Sequence, residues 1–225
     1  MKNIIKYITG KTVQPLIAKY LSKQRVYRYK GIRLQVPSQV FHPAFFFSTR
    51  LLLQYIDRLD LAKKTFLELG AGSGLIAFNA AKKGALVTAT DISLTAVEFL
   101  KINQNTNNIP LQVIASDLFN DIPRQHFDII AINPPYYKKN PETENDYAWY
   151  CGEDSSYFTL LFKNLGCYIN DSSEVYMILC DGCDIELIKV IAAQYNFHFE
   201  LMKTKKNIVE TNYIFKIKTT GLQYA

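Results

Sequence analysis

From Thr65 onward, short apolar runs alternate with segments of helical period, and this alternation constrains the fold more than any other feature. Strand-like runs lie at Thr65–Leu69, Leu86–Thr90, Leu111–Ala115, 127–132 and Val175–Leu179. Between them, the apolar spacing predicts a helix over Leu75–Lys83 that Gly84 stops, and another through Ala96, Val97, Leu100 and Asn103 with Ser93 as its cap. Further helices are predicted over Tyr157–Ile169 and Ile185–Tyr195. Strands that alternate with helices form a parallel, doubly wound α/β sheet. The last two runs, Phe197–Met202 and Asn212–Lys218, have no helix between them. The final strand should therefore run antiparallel to its neighbours.

Residues 1–60 read as an extension that packs on a domain spanning 61–225. The pattern predicts a helix over Gln14–Ser22, a hairpin over Val26–Val36 turning at Lys30-Gly31, and a helix through Leu51, Leu52, Tyr55 and Ile56 capped by Ser48 or Thr49. The aromatic cluster Phe45-Phe46-Phe47 reads as packing of the extension onto the main domain, with a cleft wall or lid as the alternative.

Net charge is +6 with a pI near 9.0, mild evidence for an anionic partner such as nucleic acid. The excess sits at both ends: Lys2, Lys6, Lys11, Lys19, Lys23, Arg25, Arg28, Lys30 and Arg33 first, then Lys203, Lys205, Lys206, Lys216 and Lys218. No apolar run approaches the roughly 20 residues of a membrane span, and Met1 to Lys19 lacks the apolar stretch of a signal peptide. Cys151, Cys167, Cys180 and Cys183 read as reduced thiols of a cytoplasmic protein, with a monomer favoured. Cys180-Asp181-Gly182-Cys183 has no second pair and no nearby His, so it reads as two ordinary semi-buried thiols, not a zinc or redox site. His42, His126 and His198 are scattered surface or packing residues, and no metal is expected.

Two stretches carry chemistry. Asn133-Pro134-Pro135-Tyr136 follows the apolar run 127–132. Prolines cannot donate to a ladder, so the strand stops there. The Asn133 side-chain carbonyl and the Pro134 backbone carbonyl make a two-acceptor fork, which suits a planar NH2 group. The second stretch is Glu68-Leu69-Gly70-Ala71-Gly72-Ser73-Gly74, between a strand and a helix. Its glycines let a ligand approach backbone, and the helix start offers free N–H groups. Asp91, followed by Ile92, ends the next strand and suits two ribose hydroxyls. Asp117, followed by Leu118, ends the third and suits an adenine amino group. Glu68 repels phosphate but tolerates a cation. A ligand with ribose, adenine and positive charge is S-adenosylmethionine.

This combination resembles the class I S-adenosylmethionine-dependent methyltransferases, and within them the amino-methyltransferases with an (Asn/Asp)-Pro-Pro-(Tyr/Phe) motif. The resemblance covers about residues 40–218. It implies a Rossmann-like, seven-stranded sheet of order 3-2-1-4-5-7-6. It also implies cofactor contacts from Glu68, Gly70, Gly72, Gly74, Asp91, Ile92, Asp117, Leu118 and Asn133, and an acceptor nitrogen held by Asn133, Pro134 and Tyr136. Ala148-Trp149-Tyr150-Cys151-Gly152 is similar to a segment of the glutamine N5-methyltransferases that modify release factors. Bacterial members of that family carry an N-terminal helical domain, whereas about 40 residues precede Phe41 here, and the acid the family places beside Thr is replaced by Phe45-Phe46-Phe47-Ser48-Thr49. A non-catalytic cofactor-binding module remains a further alternative. The substrate expected is a macromolecule (RNA, DNA or a translation protein), and the acceptor stays open between a glutamine amide and a base amine such as adenine N6.

Overall fold

The computed structural model describes residues 23–38, 40, 42–44 and 47–220. The chain forms a two-stranded hairpin, β1 (Arg25–Tyr29) and β2 (Ile32–Val36), then helix α1 (Phe47–Ile56). An α/β unit follows: β3 (Thr65–Leu69), α2 (Leu75–Lys82), β4 (Leu86–Asp91), α3 (Leu94–Asn107), β5 (Gln112–Ala115) and β6 (Ile129–Ile132). Next come α4 (Ser156–Leu165), β7 (Glu174–Cys180), α5 (Ile185–Gln194), β8 (Phe197–Lys206) and β9 (Thr211–Thr219). The seven-stranded sheet has the order β5-β4-β3-β6-β7-β9-β8. Strands β3 to β7 are mutually parallel, and β9 runs antiparallel to both β7 and β8. Counted from Thr65, this is the order 3-2-1-4-5-7-6. The helix predicted over Gln14–Ser22 lies outside the described residues, as do Phe45 and Phe46.

Successive strand residues face opposite sides, so each strand feeds two cores. Phe66, Ile129, Ala131, Tyr176 and Ile178 pack with α1, α2, α3 and the hairpin residues Ile32, Leu34 and Val36. Leu67, Ile130, Ile132, Met177 and Leu179 pack with α4 and α5 through Phe158, Leu161, Phe162 and Ile188. The hairpin thus shares a core with the sheet. Its turn needs two left-handed residues, and Lys30 (φ 44°) and Gly31 (φ 79°) supply them. Its outer edge is closed by side chains of α3 one turn apart. Asn103 and Asn107 accept from the Gln35 and Arg33 N–H groups at 2.7 and 2.8 Å and donate to the same residues' carbonyls at 3.0 and 2.8 Å. Two amides therefore substitute for a neighbouring strand.

Three local expectations change. The strand expected over 127–132 is only Ile129–Ile132, because the Phe127 N–H donates to the Tyr168 carbonyl and the Asp128 carboxylate accepts from the Thr65 N–H and hydroxyl. β8 extends to Lys206, four residues beyond the expected end. Helix α1 starts at Phe47, so Ser48 and Thr49 lie within its first turn and Phe47 packs against the first core.

Candidate active site

Parallel strands deliver their C-terminal ends to one sheet edge, where ligands of open α/β sheets bind. A cleft opens there, lined by the turn after β3, the ends of β4 and β5, the Asn133–Tyr137 segment after β6, the loop through Trp149 and the start of α4. Asn133, Pro134, Tyr136, Glu68, Gly70, Gly72, Asp91, Ile92, Asp117 and Leu118 all line it. Gly74 does not. It has φ 74° at the start of α2, and a Cβ there would strike Leu100 Cδ2 and stand 3.0 Å from Phe78 Cε2. Gly74 therefore has a packing role at the start of α2 and stands outside the lining of the cleft.

The turn after β3 is held from below. Asp91 Oδ2 accepts from the Gly72 N–H at 2.7 Å, and its Oδ1 accepts from the Ser93 N–H at 2.9 Å. Gly70 (φ 73°) has nothing within 4 Å of a Cβ placed on it, so the turn leaves open space where a ligand would lie against backbone. Glu68 is 6% exposed, and its carboxylate accepts from the Ala77 N–H in the first turn of α2 at 2.6 Å. Burial pushes its pKa up to about 8, and the nearby Asp91 charge adds to this against the Ala77 bond. A cation entering the cleft would draw out the carboxylate form. Open space over Gly70, a carboxylate at the end of β4 and a buried acid fit the adenosyl and cationic parts of S-adenosylmethionine. Tyr157, at the start of α4, also faces Asp91 and Asp117, and burial raises its phenol above the usual range.

The acceptor side is built around Asn133. Its Nδ2 donates to Thr49 Oγ1 at 3.2 Å and Ser48 Oγ at 3.4 Å. With the nitrogen committed to these hydroxyls, Oδ1 is the end left to accept. The loop closing over the motif is tied to it by backbone: the Tyr136 and Tyr137 N–H groups both donate to the Trp149 carbonyl, and the Cys151 N–H donates to the Tyr137 carbonyl. Rings gather beside this fork, with Tyr136 and Tyr137 centroids 4.9 Å apart and Tyr137 stacked on Trp149 at 6.4 Å. Burial raises the Tyr136 phenol far above its ordinary range, so it stays protonated.

Sequence reasoning missed Ser48 and Thr49 as partners of Asn133, because hydroxyls before an apolar helix read as caps. It also missed Tyr137, Trp149 and Tyr157 as cleft residues, although Trp149 lies in a segment already noted for its likeness. Lys205 and Lys206 pair with Asn212 and Thr211 at the same edge, whereas Lys216 and Lys218 are further down the strand and bound to Glu174 and Glu200. Lys30 is bound to Asp57, and Lys2 to Lys19 lie outside the described residues.

Residues 37–151 match the family model for the methyltransferase small domain. The chain belongs to this family. Most of the residues that line the cleft lie within the matched segment. A putative protein N5-glutamine methyltransferase of Methanocaldococcus jannaschii is 36% identical over 118 residues, 52% of this chain and 57% of that protein. A ribosomal RNA small subunit methyltransferase C of Haemophilus influenzae is 38% identical over 91 residues, 40% of this chain and 27% of that protein. The chain thus spans little more than half of the first relative and about a quarter of the second. Among solved structures, an Encephalitozoon cuniculi complex (Mtq2 with Trm112), responsible for methylating the termination factor eRF1, aligns with a TM-score of 0.63 and 19% identity. The alignment covers 80% of this chain and 99% of that one, a likeness of fold.

Proposed function

We propose that this domain transfers a methyl group from S-adenosylmethionine to a planar NH2 nitrogen, the side-chain amide of a glutamine in a protein. The observation that carries this reading is the fork itself. Asn133, oriented by Ser48 and Thr49, and the Pro134 carbonyl offer two fixed acceptors at the end of β6. An amide nitrogen is a poor nucleophile because its lone pair is delocalised into the carbonyl. Two acceptors on its hydrogens turn the lone pair out of conjugation and stabilise the positive charge that grows on nitrogen. No strong base is required, since the proton leaves after transfer. When bound, the cofactor supplies an electrophilic methyl on a positively charged sulfur. Asp91 would hold the ribose hydroxyls, with Ile92 beside it, and Gly70 and Gly72 would let the ligand lie against backbone. Asp117 and Leu118 would border the adenine, and Glu68 would face the cationic end. Tyr136 would stack on the planar acceptor. The glutamine assignment draws on the relative from Methanocaldococcus jannaschii.

A second reading, an exocyclic base amine in RNA, is favoured by the stacked rings of Tyr137 and Trp149 and by Lys205 and Lys206 on the same edge. One experiment separates the two. The protein is incubated with methyl-labelled cofactor and extract of cells lacking its gene, and the product is digested with protease or RNase. Release of label by protease alone supports the glutamine reading, and release by RNase alone overturns it. Asn133→Ala should lower transfer about 10²–10³-fold, as loss of one preorganised partner does elsewhere. Undiminished transfer would remove the fork from the reaction.

A further inference from the structure

The cysteines that end β7 have no part in the transfer just described. Cys180 is the last strand residue, and the Cys183 N–H donates to its carbonyl at 3.0 Å, closing a four-residue turn. Such a turn holds its end Cα atoms within about 7 Å, which overlaps the roughly 4.4–6.8 Å of bridged cysteines. The sulfurs are 3.8 Å apart, and the Cys180 N–H donates to Cys183 Sγ at 3.3 Å. Cys180 is 2% exposed, more deeply buried than the sequence suggested, while Cys183 is half-buried and reachable.

The pair gives up one proton easily. The hydrogen bond from Cys183 pushes the Cys180 thiol down to about 7, and Cys183, which keeps the remaining proton, is pushed up. That proton lies between two sulfurs in contact, and the Cys180 N–H favours charge on Cys183 when the proton moves across. β6 and β7 run side by side with Ile132 beside Met177, so the segment after β6 that carries Tyr136, the aromatic residue of the acceptor fork, runs beside the end of β7 where Cys180 stands, and the two groups shift each other's acidity.

We propose that Cys180 and Cys183 form a redox modification site, a dithiol that a peroxide converts to an intramolecular disulfide, and that bridge formation displaces Tyr136 and slows methyl transfer. The second half rests on the proposed acceptor role of Tyr136, and the first half does not. Once the shared proton has passed to Cys180, the Cys183 thiolate attacks one peroxide oxygen, the O–O bond breaks, a sulfenic acid forms, and the hydroxide released takes up the proton that the pair had given up to become water. The Cys180 thiol then attacks that sulfur, the S–S bond forms, and the hydroxyl leaves as water with the Cys180 proton. Two thiols lose two electrons and two protons, and the peroxide becomes two waters. The bridge draws the sulfurs from 3.8 Å to about 2.05 Å, so the Cys180 sulfur moves relative to the Tyr136 phenol.

The test treats the reduced full chain with one to two equivalents of hydrogen peroxide. Intact mass, peptide mapping and methyl transfer are then measured before and after dithiothreitol. The expected result is a loss of about 2 Da, mapped to a Cys180–Cys183 link, and a fall in transfer of fivefold or more that dithiothreitol reverses. Cys183→Ser should keep basal transfer, show no such mass loss and resist inactivation. Cys183→Ala serves in its place should the serine variant not fold. Oxygen added to Cys183 without a bridge, or a bridge to Cys151, overturns the site. A Cys180–Cys183 bridge with unchanged transfer overturns the coupling to Tyr136. A chain with no transfer under any condition fails the proposed function, and the mass result still decides the dithiol.

Discussion

Burial of Glu68 gives the fold a pH dependence that can be worked through in advance. The carboxyl rises from 4.5 to about 8 because it is enclosed and faces Asp91. Below the unfolded value, both states are protonated and the residue costs nothing. Between 4.5 and about 8, the unfolded chain releases a proton that the folded chain retains, so stability falls as pH rises. The full span corresponds to about 5 kcal/mol, and relaxation around the ionised group reduces this to about 2–5 kcal/mol. Glu68→Gln keeps an oxygen to accept from the Ala77 N–H but cannot ionise. Urea unfolding at pH 5, 6, 7, 8 and 9 should show the wild type losing stability relative to Glu68→Gln, with the variant the more stable above pH 8. Parallel stability curves for the two proteins would refute the reasoning, since they would mean that Glu68 titrates as an ordinary carboxyl.

Two further substitutions separate packing from binding. Gly74→Ala should cost about 2–4 kcal/mol in thermal unfolding, combining left-handed strain with overpacking against Leu100 and Phe78. Gly70→Ala shares the positive φ but meets open space, so it should cost only about 1–2 kcal/mol while weakening binding of S-adenosylhomocysteine tenfold or more in calorimetry. Equal stability losses would contradict the distinction. Combining Ser48→Ala with Thr49→Val frees the Asn133 amide to rotate. This pair should lower kcat about tenfold and leave cofactor affinity within about twofold, and unchanged kcat would show that the hydroxyls do not orient the fork.

Much of this molecule was already set by local chemistry in the chain. Alternating apolar runs dictated parallel strands, because each must be covered on both faces. The helix-free link before Asn212 dictated the antiparallel β9. Pro134 and Pro135 ended β6 where the fork had to stand, and Lys30-Gly31 chose the hairpin turn through their tolerance of positive φ. Other assignments depended on partners far along the chain. Asp128 left its strand to bind Thr65, 63 residues away. Ser48 and Thr49 became partners of Asn133 because α1 begins earlier than a cap reading allows and lies across the end of β6. Gly74, one of three similar glycines in a row, was separated from the ligand turn only by Leu100 coming up from α3. Cys180 came to stand near the segment of Tyr136 only when β6 and β7 were laid side by side. Period and turn chemistry act between neighbours in sequence, whereas the orientation of a carboxamide, the burial of Glu68 and the approach of the Tyr136 segment to the end of β7 arise only where the sheet brings distant residues together.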